Sequence, residues 1–249
     1  MQDVTRYGED LYGERKLVTL IKELSKLDNI SSIRLLYCYP DVFDDELIEE
    51  LATNDKVIKY VDMPLQHSEN AVLKRMNRRG TREDYLNLIT KLKNKIDGIC
   101  IRTTFIAGFP GETEEDFLGL IDFIKKAEFS SVGFFAYSRE EDTPAYKLSN
   151  QIEEEVKERR VKKLYDVQRK ISLKNLKSYV GKTLSVICDG VDYEKQSFYG
   201  RAYFQAPDVD GRVYITSDEV INQGERYSVL IESSDEYDLY GRIINEFTK

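Results

Sequence analysis

The sequence predicts an α/β fold in which a parallel sheet or barrel of βα units is followed by a small all-β barrel. Apolar strand-like runs alternate four times with amphipathic helices in residues 13–137, a pattern typical of parallel strands joined by right-handed crossovers. After residue 176 the apolar period changes to two, and glycines separate five short strand-like segments. We therefore expect two domains, residues 1–176 and residues 177–249.

The elements of the first domain follow from apolar spacing and from turn residues. Period-3.6 patterns predict helices over residues 13–27, 44–52, 70–76, 83–95 and 112–128, and a long charged helix over residues 152–179. Apolar and β-branched runs predict strands over residues 32–39, 57–65, 99–107 and 130–137. In the second domain, alternating patterns predict strands over residues 182–188, 197–204, 212–215, 225–232 and 237–244.

Composition narrows the class of protein. A chain of 249 residues with 41% hydrophobic residues can bury substantial cores, and no apolar run approaches the roughly 20 residues needed to span a bilayer. The first residues contain no basic segment followed by an apolar one, so no secretory signal is predicted and we expect a cytoplasmic protein without membrane contact. The net charge of −8 argues against a protein built mainly to bind nucleic acid.

The thiol and imidazole content argues against a metal centre within this sequence. Cys38, Cys100 and Cys188 lie far apart, and two of them are inside apolar strand-like runs, which favours buried structural thiols. The only histidine is His67, so a histidine-rich metal site is excluded.

The central feature is a Gly-Phe-Pro-Gly turn between the strand at residues 99–107 and the helix that follows it. Gly108 and Gly111 permit positive φ, Pro110 fixes one φ, and Thr113 with Asp116 forms a helix-start signature. The spacing fits neither a P-loop nor the dinucleotide fingerprint. Four carboxylates in the first helical turn suit a cationic or ammonium ligand better than a phosphate: Glu112, Glu114, Glu115 and Asp116. The alternative is an ordinary, well-capped βα turn.

Three polar segments follow strands and should meet at the carboxyl ends of the sheet, where βα barrels place their active sites. They are Gln66-His67, the turn from Gly108 to Glu112, and Ser138-Arg139. A basic cluster after the helix at residues 70–76 is either a solvated helix end or a surface facing the substrate. Its members are Lys74, Arg75, Arg78, Arg79 and Arg82.

Several motifs together resemble the methylthiotransferase branch of the radical S-adenosylmethionine (SAM) enzymes, and within it the members that modify a ribosomal protein. The motifs are Gln2-Asp3 with Thr5-Arg6-Tyr7-Gly8, Leu36-Tyr37 with Tyr39-Pro40-Asp41, Pro64-Leu65-Gln66-His67, residues 73–78 (LKRMNR), residues 108–113 (GFPGET), and residues 135–141 (FAYSREE) with Thr143-Pro144. In the tail, Val180-Gly181-Lys182, Gly200-Arg201, Ala206-Pro207, Asp210-Gly211, residues 236–239 (EYDL) and Gly241 resemble the family's TRAM domain.

The resemblance implies a partial radical SAM barrel with an OB-like TRAM domain, and it implies SAM and two [4Fe–4S] clusters as the cofactors of the full-length enzyme. Family members hold one cluster with three cysteines of an N-terminal domain and the other with a Cys-x-x-x-Cys-x-x-Cys loop. Neither set occurs in this sequence. We therefore expect a carboxyl-terminal portion of the enzyme, without catalytic residues or cluster ligands of its own and inactive in isolation.

The resemblance also assigns SAM-binding roles. Gln66 is expected to hydrogen-bond the ribose beside His67, for which a structural role is the alternative. Arg102 is expected to pair with the methionine carboxylate unless it is merely salt-bridged. At Gly108, Phe109 and Gly111 the backbone is expected to approach the ligand closely, and Glu112 is expected to support the turn. Tyr137 and Ser138 are expected to line the adenine pocket, and for Tyr137 the alternative is ordinary packing.

Substrate choice is expected to depend on the tail. Residues 177–249 carry eight Lys and Arg against thirteen Asp and Glu, a balance that favours a basic protein over a polyanion. The resemblance makes that partner small-subunit ribosomal protein S-twelve, modified at the β-carbon of an aspartate, with docking carboxylates at Glu232, Asp235, Glu236 and Asp238. A MiaB-like tRNA enzyme and a non-catalytic ribosomal-protein-binding module are the alternatives.

An incomplete barrel should also expose the edge of its first strand, at residues 32–39. Unpaired strand edges promote association, so we expect some self-association.

Overall fold

The computed structural model describes residues 3–217 and 220–244, so Gln2 of the first motif lies outside the described residues. It divides into two compact units, Met1–Gln168 and Arg169–Lys249. The division falls inside a helix, slightly before the domain boundary predicted after residue 176, which stays a prediction.

The first unit is built on four parallel strands, which confirms the predicted βα architecture. They lie in the order β1-β2-β3-β4: β1 (Ile33–Leu35), β2 (Val57–Asp62), β3 (Cys100–Ala107) and β4 (Ser131–Ala136). The predicted strand over residues 32–39 is only three residues long. Tyr37 adopts a left-handed φ of 58°, and its backbone amide donates a hydrogen bond to the Asp62 carboxylate. The chain therefore leaves the sheet at this residue.

Helices connect these strands, and local sequence explains where they begin. They are α1 (Glu9–Tyr12), α2 (Leu17–Ser25), α3 (Asp45–Thr53), α4 (Asn70–Arg75), α5 (Arg82–Lys95), α6 (Glu114–Ala127) and α7 (Glu154–Lys177). Thr81 with Asp84 and Thr113 with Asp116 form reciprocal capping boxes at the starts of α5 and α6. The helix predicted over residues 13–27 begins later, because Gly13 ends α1 in the left-handed region.

The core of the first unit lies between β3, β4 and α6. Phe105 contacts Phe123, Phe129 and Phe134 at ring-centroid separations of 5.8–6.2 Å, and all four side chains are buried. Each such aromatic side chain stabilises the fold by roughly 1.5–3 kcal/mol through removal of apolar surface from water. This cluster fixes β3, whose carboxyl end leads into the Gly-Phe-Pro-Gly turn.

The second unit is a closed barrel of five strands, as the sequence predicts. Its strands are β5 (Thr183–Asp192), β6 (Ser197–Arg201), β7 (Val213–Thr216), β8 (Arg226–Ser234) and β9 (Leu239–Ile243), in the order β5-β6-β7-β9-β8. All neighbours are antiparallel except β7 and β9. At Gly200 a Cβ atom would lie 2.1 Å from the carbonyl oxygen of Ile187, so glycine is required for this close strand approach.

The three cysteines are buried and form no disulfide within the part of the chain that the structure describes, which confirms their interpretation as structural thiols. Burial raises the pKa of Cys38 far above its usual range, so this thiol is unreactive at neutral pH. Within residues 3–217 and 220–244, no helix is both long enough and apolar enough to cross a bilayer.

Candidate functional site

Gln66 lies just beyond the carboxyl end of β2 and has an unusual backbone. It makes an isolated parallel bridge to Phe105, with Gln66 N donating to Thr104 O at 2.8 Å and Ile106 N donating to Gln66 O at 2.8 Å. Its φ is 70°, a left-handed conformation that costs a non-glycine residue of order 1 kcal/mol or more. Its Oε1 atom is buried and accepts no hydrogen bond from the part of the chain that the structure describes. Strain and an unsatisfied acceptor at a strand end are typical of a ligand site.

The Gly-Phe-Pro-Gly turn is held from inside by Glu112. Its Oε2 atom accepts hydrogen bonds from the amides of Gly108, at 2.8 Å, and Phe109, at 3.3 Å. Gly108 and Gly111 have φ values of 80° and 79°, as the turn prediction requires. Glu112 therefore closes the loop onto its own backbone, and its carboxylate is unavailable to a bound molecule.

A buried ionic network surrounds Glu112. Arg160 on α7 donates to Glu112 Oε1 at 2.8 Å, and His67 Nε2 lies 3.5 Å from Glu112 Oε2. The His67 ring is buried completely, and its Nδ1 accepts a hydrogen bond from Glu69 N at 3.0 Å. Two strand ends and α7 are thus joined through one carboxylate, and His67 has the structural role that the sequence left as an alternative.

The acidic first turn of α6 is mostly satisfied by the protein itself. Glu114 pairs with Arg160 at 3.2 Å, and Asp116 accepts from the backbone amide and hydroxyl of Thr113 at 2.9 Å each. Glu115 is exposed. Nearby donors use both oxygens of Glu112 and one oxygen each of Glu114 and Asp116, and the suitability of these carboxylates for a cationic ligand stays a prediction. The alternative, a well-capped βα turn, describes this segment.

Arg102 on β3 is paired inside the sheet. Its Nη1 atom donates to Asp62 Oδ1 at 2.8 Å, and the same carboxylate accepts the Tyr37 amide through its other oxygen. The salt bridge that the sequence left as an alternative is thus present, and pairing of Arg102 with the methionine carboxylate stays a prediction.

Phe109 and Tyr137 pack together at the carboxyl ends of β3 and β4. Their ring centroids are 5.2 Å apart in a T-shaped contact, and Val72 completes the buried cluster. Ser138 is exposed, and its hydroxyl donates to Glu140 at 2.5 Å. The Tyr137 hydroxyl is buried, and no described group hydrogen-bonds it. Packing therefore accounts for the Tyr137 ring. Its hydroxyl, like Gln66 Oε1, is a buried polar atom without a described hydrogen-bond partner.

Sequence reasoning missed two buried cations on α7. Lys157 Nζ donates to Tyr137 O at 2.9 Å and to Glu154 at 2.5 Å, and its side chain fills the space beside Gly108. Lys157 and Arg160 belong to the buried stripe of α7 together with Leu164, Gln168 and Ile171. Helical spacing of residues 157, 160, 164, 168 and 171 was the available signal. Apolar residues of the same helix offer a competing stripe that obscured it: Val156, Val161, Leu164, Val167 and Ile171.

The basic cluster near α4 is largely engaged with backbone and carboxylates. Arg75 donates to Gly111 O at 3.0 Å, and Arg82 pairs with Glu69 and, at 2.8 Å, with Asp122. Arg78 donates to Pro64 O and stacks over the Tyr39 ring. These arginines hold the strand-end loops in place, a role that neither the solvated helix end nor the substrate-facing surface anticipated, and Arg75 links α4 directly to the central turn.

The donor set for an iron–sulfur cluster does not fit the described residues. Within residues 3–217 and 220–244, no group of three or more His, Cys, Asp or Glu side chains is placed to hold a metal ion. Cys38, Cys100 and Cys188 are each buried as separate thiols.

Two of the four predicted docking carboxylates hold the turn between β8 and β9. Asp235 accepts the amides of Tyr237 and Asp238 at 2.8 and 2.7 Å, and Asp238 accepts the Arg212 amide at 2.7 Å. Burial raises the pKa of Asp238 above the ordinary aspartate value. Glu232 is exposed and pairs with Arg242 at 2.9 Å, while Glu236 is half-buried. Asp235 and Asp238 thus also have a structural role, and the docking role expected of the four carboxylates stays a prediction.

Comparison with known proteins agrees with this architecture. Residues 7–124 match the radical SAM superfamily, and residues 180–244 match the TRAM domain. The chain is 47% identical over its whole length to "Ribosomal protein uS12 methylthiotransferase RimO" of Acetivibrio thermocellus, covering 55% of that protein. It is 48% identical over 96% of its length to the protein of the same name from Caldanaerobacter subterraneus subsp. tengcongensis, covering 54% of it. The chain therefore spans about half the length of these curated relatives.

A solved structure supports the fold independently of close sequence similarity. Coproporphyrinogen III oxidase (HemN) of Escherichia coli, described as a radical SAM enzyme, is similar at a TM-score of 0.52 and 14% identity. The similarity covers 63% of this chain and 37% of HemN. Taken with the two domain matches and the relatives aligned along the whole sequence, these observations show that the chain belongs to the radical SAM methylthiotransferase family.

Proposed function

We propose that this chain is the carboxyl-terminal part of a methylthiotransferase that modifies ribosomal protein uS12. The observation that carries the proposal is its 47% identity, along the whole chain, to a protein named for that activity. The modified group is the β-carbon of an aspartate, and the reaction requires SAM together with iron–sulfur clusters whose ligands are not among the residues described above. Inactivity of the chain in isolation and a cytoplasmic location remain predictions.

The polar edge of the parallel sheet fits a polar ligand such as SAM. Gln66 Oε1 and the Tyr137 hydroxyl are buried, and no described group hydrogen-bonds either atom. Both residues follow strands that flank β3, and Tyr137 N donates to Ala107 O at that edge. Gln66 and Tyr137 would hold the ligand, and bound SAM would supply the adenosyl and methyl groups for the chemistry. Phe109 orients Tyr137 by packing, while Glu112, His67 and Arg160 keep the turn rigid.

The charge of the second unit supports a basic protein as the substrate. Residues 177–249 contain thirteen acidic and eight basic residues, and surfaces of opposite charge steer association. No comparable basic surface is predicted in this part of the chain for the phosphates of tRNA. All four predicted docking carboxylates remain candidates, with Glu232 exposed beside Arg242 and with Asp235 and Asp238 fixed in place by backbone amides.

Anaerobic titration calorimetry tests the proposal at the level of SAM. SAM is titrated into this chain and into the full-length Acetivibrio thermocellus relative, each after iron–sulfur reconstitution. We expect the relative to bind tightly and this chain to bind weakly or not at all, because a cluster is needed to complete the site. Equal, iron-independent binding by both proteins would mean that the pocket is complete in this chain and that the expected dependence on the cluster is wrong.

Mass spectrometry of uS12 tests the reaction and the substrate class. The same two proteins are incubated with SAM, a reductant and uS12, and the target aspartate is examined for an added methylthio group. Modification by the relative, together with uS12 binding by this chain, supports the proposal. Binding of tRNA with a steep inverse dependence on salt would instead favour the MiaB-like alternative.

Self-association through the exposed sheet edge also stays a prediction. β1 pairs with β2 alone, and the following residues Leu36 and Tyr37 are exposed. Sedimentation of the chain at high concentration measures this tendency, and a strictly monomeric state would count against it.

A further inference from the structure

The turn between β5 and β6 places a lysine in a cage of tyrosines. The ammonium of Lys195 lies 3.6 Å from the centroid of the Tyr214 ring and 5.7 Å from that of Tyr240. The two rings are stacked, with centroids 5.4 Å apart and planes 17° from parallel. They lie on the neighbouring strands β7 and β9, where Tyr214 and Tyr240 are in register. This arrangement of ring faces around a cation is the geometry used to recognise ammonium groups.

Carboxylates complete the cage and fix its rings. Tyr240 donates its hydroxyl to Asp235 at 2.7 Å, and Tyr214 donates its hydroxyl to Asp192 at 3.4 Å. Asp238 Oδ2 lies 3.9 Å from the Lys195 ammonium. Because backbone amides hold Asp235 and Asp238, the cage is organised before any external group arrives. Contact with Tyr214 raises the pKa of Lys195, in keeping with an ammonium held at the face of this ring.

The cage is a poor match to nucleic acid and a good match to a basic side chain. Three aspartates surround it against two cations, Lys195 and Arg212, whose Nη1 lies 4.0 Å from Asp192 Oδ2, so a phosphate would meet a net negative charge there. An incoming lysine or arginine would meet ring faces and carboxylates, the environment that an ammonium already occupies. Nearby, Arg212 stacks over the Tyr199 ring at 4.3 Å, so this barrel accepts a guanidinium on tyrosine as well.

Lys195 is placed to leave the cage. Its side chain is 44% exposed, whereas that of Asp238 is 20% exposed. It lies on a turn in which Tyr193 is 87% exposed and Gln196 has a left-handed φ of 49°. The contact is therefore solvent-screened, and a cation–π contact at such a site contributes little enough for an external cation to compete with it.

We infer that this tyrosine–aspartate cage binds a lysine or arginine side chain of a basic protein partner, and that Lys195 occupies the cage while the partner is absent. The inference rests on the proposed function only in taking the partner to be a basic protein. It adds the location of the contact and a residue of this chain that competes for it.

Removal of the internal competitor tests the inference. The chain and its Lys195→Ala variant are labelled with ¹⁵N and titrated with an acetylated, amidated peptide that contains one lysine among glycines and serines. We expect Lys195→Ala to bind the peptide roughly two- to fivefold more tightly, the gain that corresponds to loss of one solvent-exposed cation–π competitor. A matched peptide with glutamine in place of lysine should show no gain.

Lys182→Ala is the matched control for charge. This substitution removes one positive charge from the same unit, and the Lys182 ammonium also lies over a tyrosine ring, 5.4 Å from the Tyr179 centroid. A gain of similar size in both variants would show a general electrostatic effect and overturn the inference. Lys195→Ala combined with Tyr240→Leu should lose the gain, and thermal melts confirm that each variant is folded. Where the double variant does not fold, Lys195→Gln with Tyr240→Phe, which retains the ring, should still show the gain.

Titration with uS12 separates failure of this inference from failure of the proposed function. Binding of uS12 that is indifferent to Lys195→Ala and to Tyr240→Leu would overturn the cage and leave the proposed function standing. Tighter peptide binding by Lys195→Ala with no binding of uS12 would support the cage and count against uS12 as its partner. If Lys195→Ala weakens binding of a single-stranded RNA and leaves peptide binding unchanged, the face binds nucleic acid and the inference is wrong.

Discussion

The central turn of the sheet unit and the tyrosine cage of the barrel both hold a cation against carboxylates and an aromatic ring, but they differ in exposure. Arg160 stacks over Phe117 and pairs with Glu112, and these two charged side chains are 6% and 0% exposed. Lys195 stacks over Tyr214 with nearly half of its side chain in water. Separating two opposite charges in a low-dielectric interior costs a large free energy, whereas water screens the attraction at an exposed contact. Similar chemistry therefore produces a structural clamp in one unit and an exchangeable contact in the other.

The largest expected effect comes from breaking the buried clamp. Arg160→Met leaves the Glu112 carboxylate buried without its cation and should lower the free energy of unfolding by roughly 3–5 kcal/mol. Arg242→Met in the barrel breaks the exposed pair with Glu232 and should change the free energy of unfolding by about 1 kcal/mol or less. Urea denaturation measures both. Equal losses for the two variants would contradict the contrast drawn between the two units.

A second effect concerns the backbone of the clamp. Gly108→Ala places a Cβ atom 2.2 Å from Lys157 Cγ at a φ of 80°, and should destabilise the fold by about 2–4 kcal/mol through strain and overpacking. Gly13→Ala is the matched control, since its φ is 73° and nothing lies within 4 Å of the added atom. It should cost about 1–2 kcal/mol. If denaturation shows the same loss for both, the contact between Gly108 and Lys157 contributes nothing.

A smaller effect distinguishes strain kept for a ligand from ordinary strain. Gln66→Gly relieves a left-handed φ and should stabilise the chain by up to about 1 kcal/mol, while it weakens SAM binding in the reconstituted full-length protein carrying the same change. Glu128→Gly relieves a similar φ of 43° at the end of α6 and should leave SAM binding unaltered. Thermal melts and calorimetry test the pair. Unchanged SAM affinity in Gln66→Gly would remove Gln66 from the proposed site.

The smallest effect is a pH dependence in the barrel. The pKa of Asp238 is raised in the folded state by burial, above its ordinary value of 3.8. The unfolded chain therefore releases this proton first, so the Asp238 contribution lowers stability as pH rises from about 3.8 through the folded-state pKa and is constant above it. Asp238→Asn should remove that loss, so that its stability relative to the parent chain improves between pH 3 and pH 7. A pH-independent difference in melting temperature would show that Asp238 titrates normally.

Sequence pattern determined the architecture because burial imposes a period on the chain. The change from a period of 3.6 to a period of two after residue 176 predicted a βα unit followed by a five-stranded barrel. The paired signatures at Thr113 and Asp116, and the glycines of the central turn, predicted their local geometry because capping and positive φ are decided by adjacent residues. Strand ends were less predictable, as Tyr37 shows, since its departure from the sheet depends on the distant Asp62 carboxylate.

The partners of charged side chains were decided only by tertiary structure. From the sequence, Glu112 is one of four neighbouring carboxylates that suit a cationic ligand, but Arg160, far along the chain, comes to lie against it. In the barrel, Lys195, Tyr214 and Tyr240 belong to three separate segments that meet only when β7 and β9 pair. Pattern reasoning detects what repeats along a helix or a strand. Which carboxylate meets which cation depends on the packing of the elements, and so does whether water reaches them.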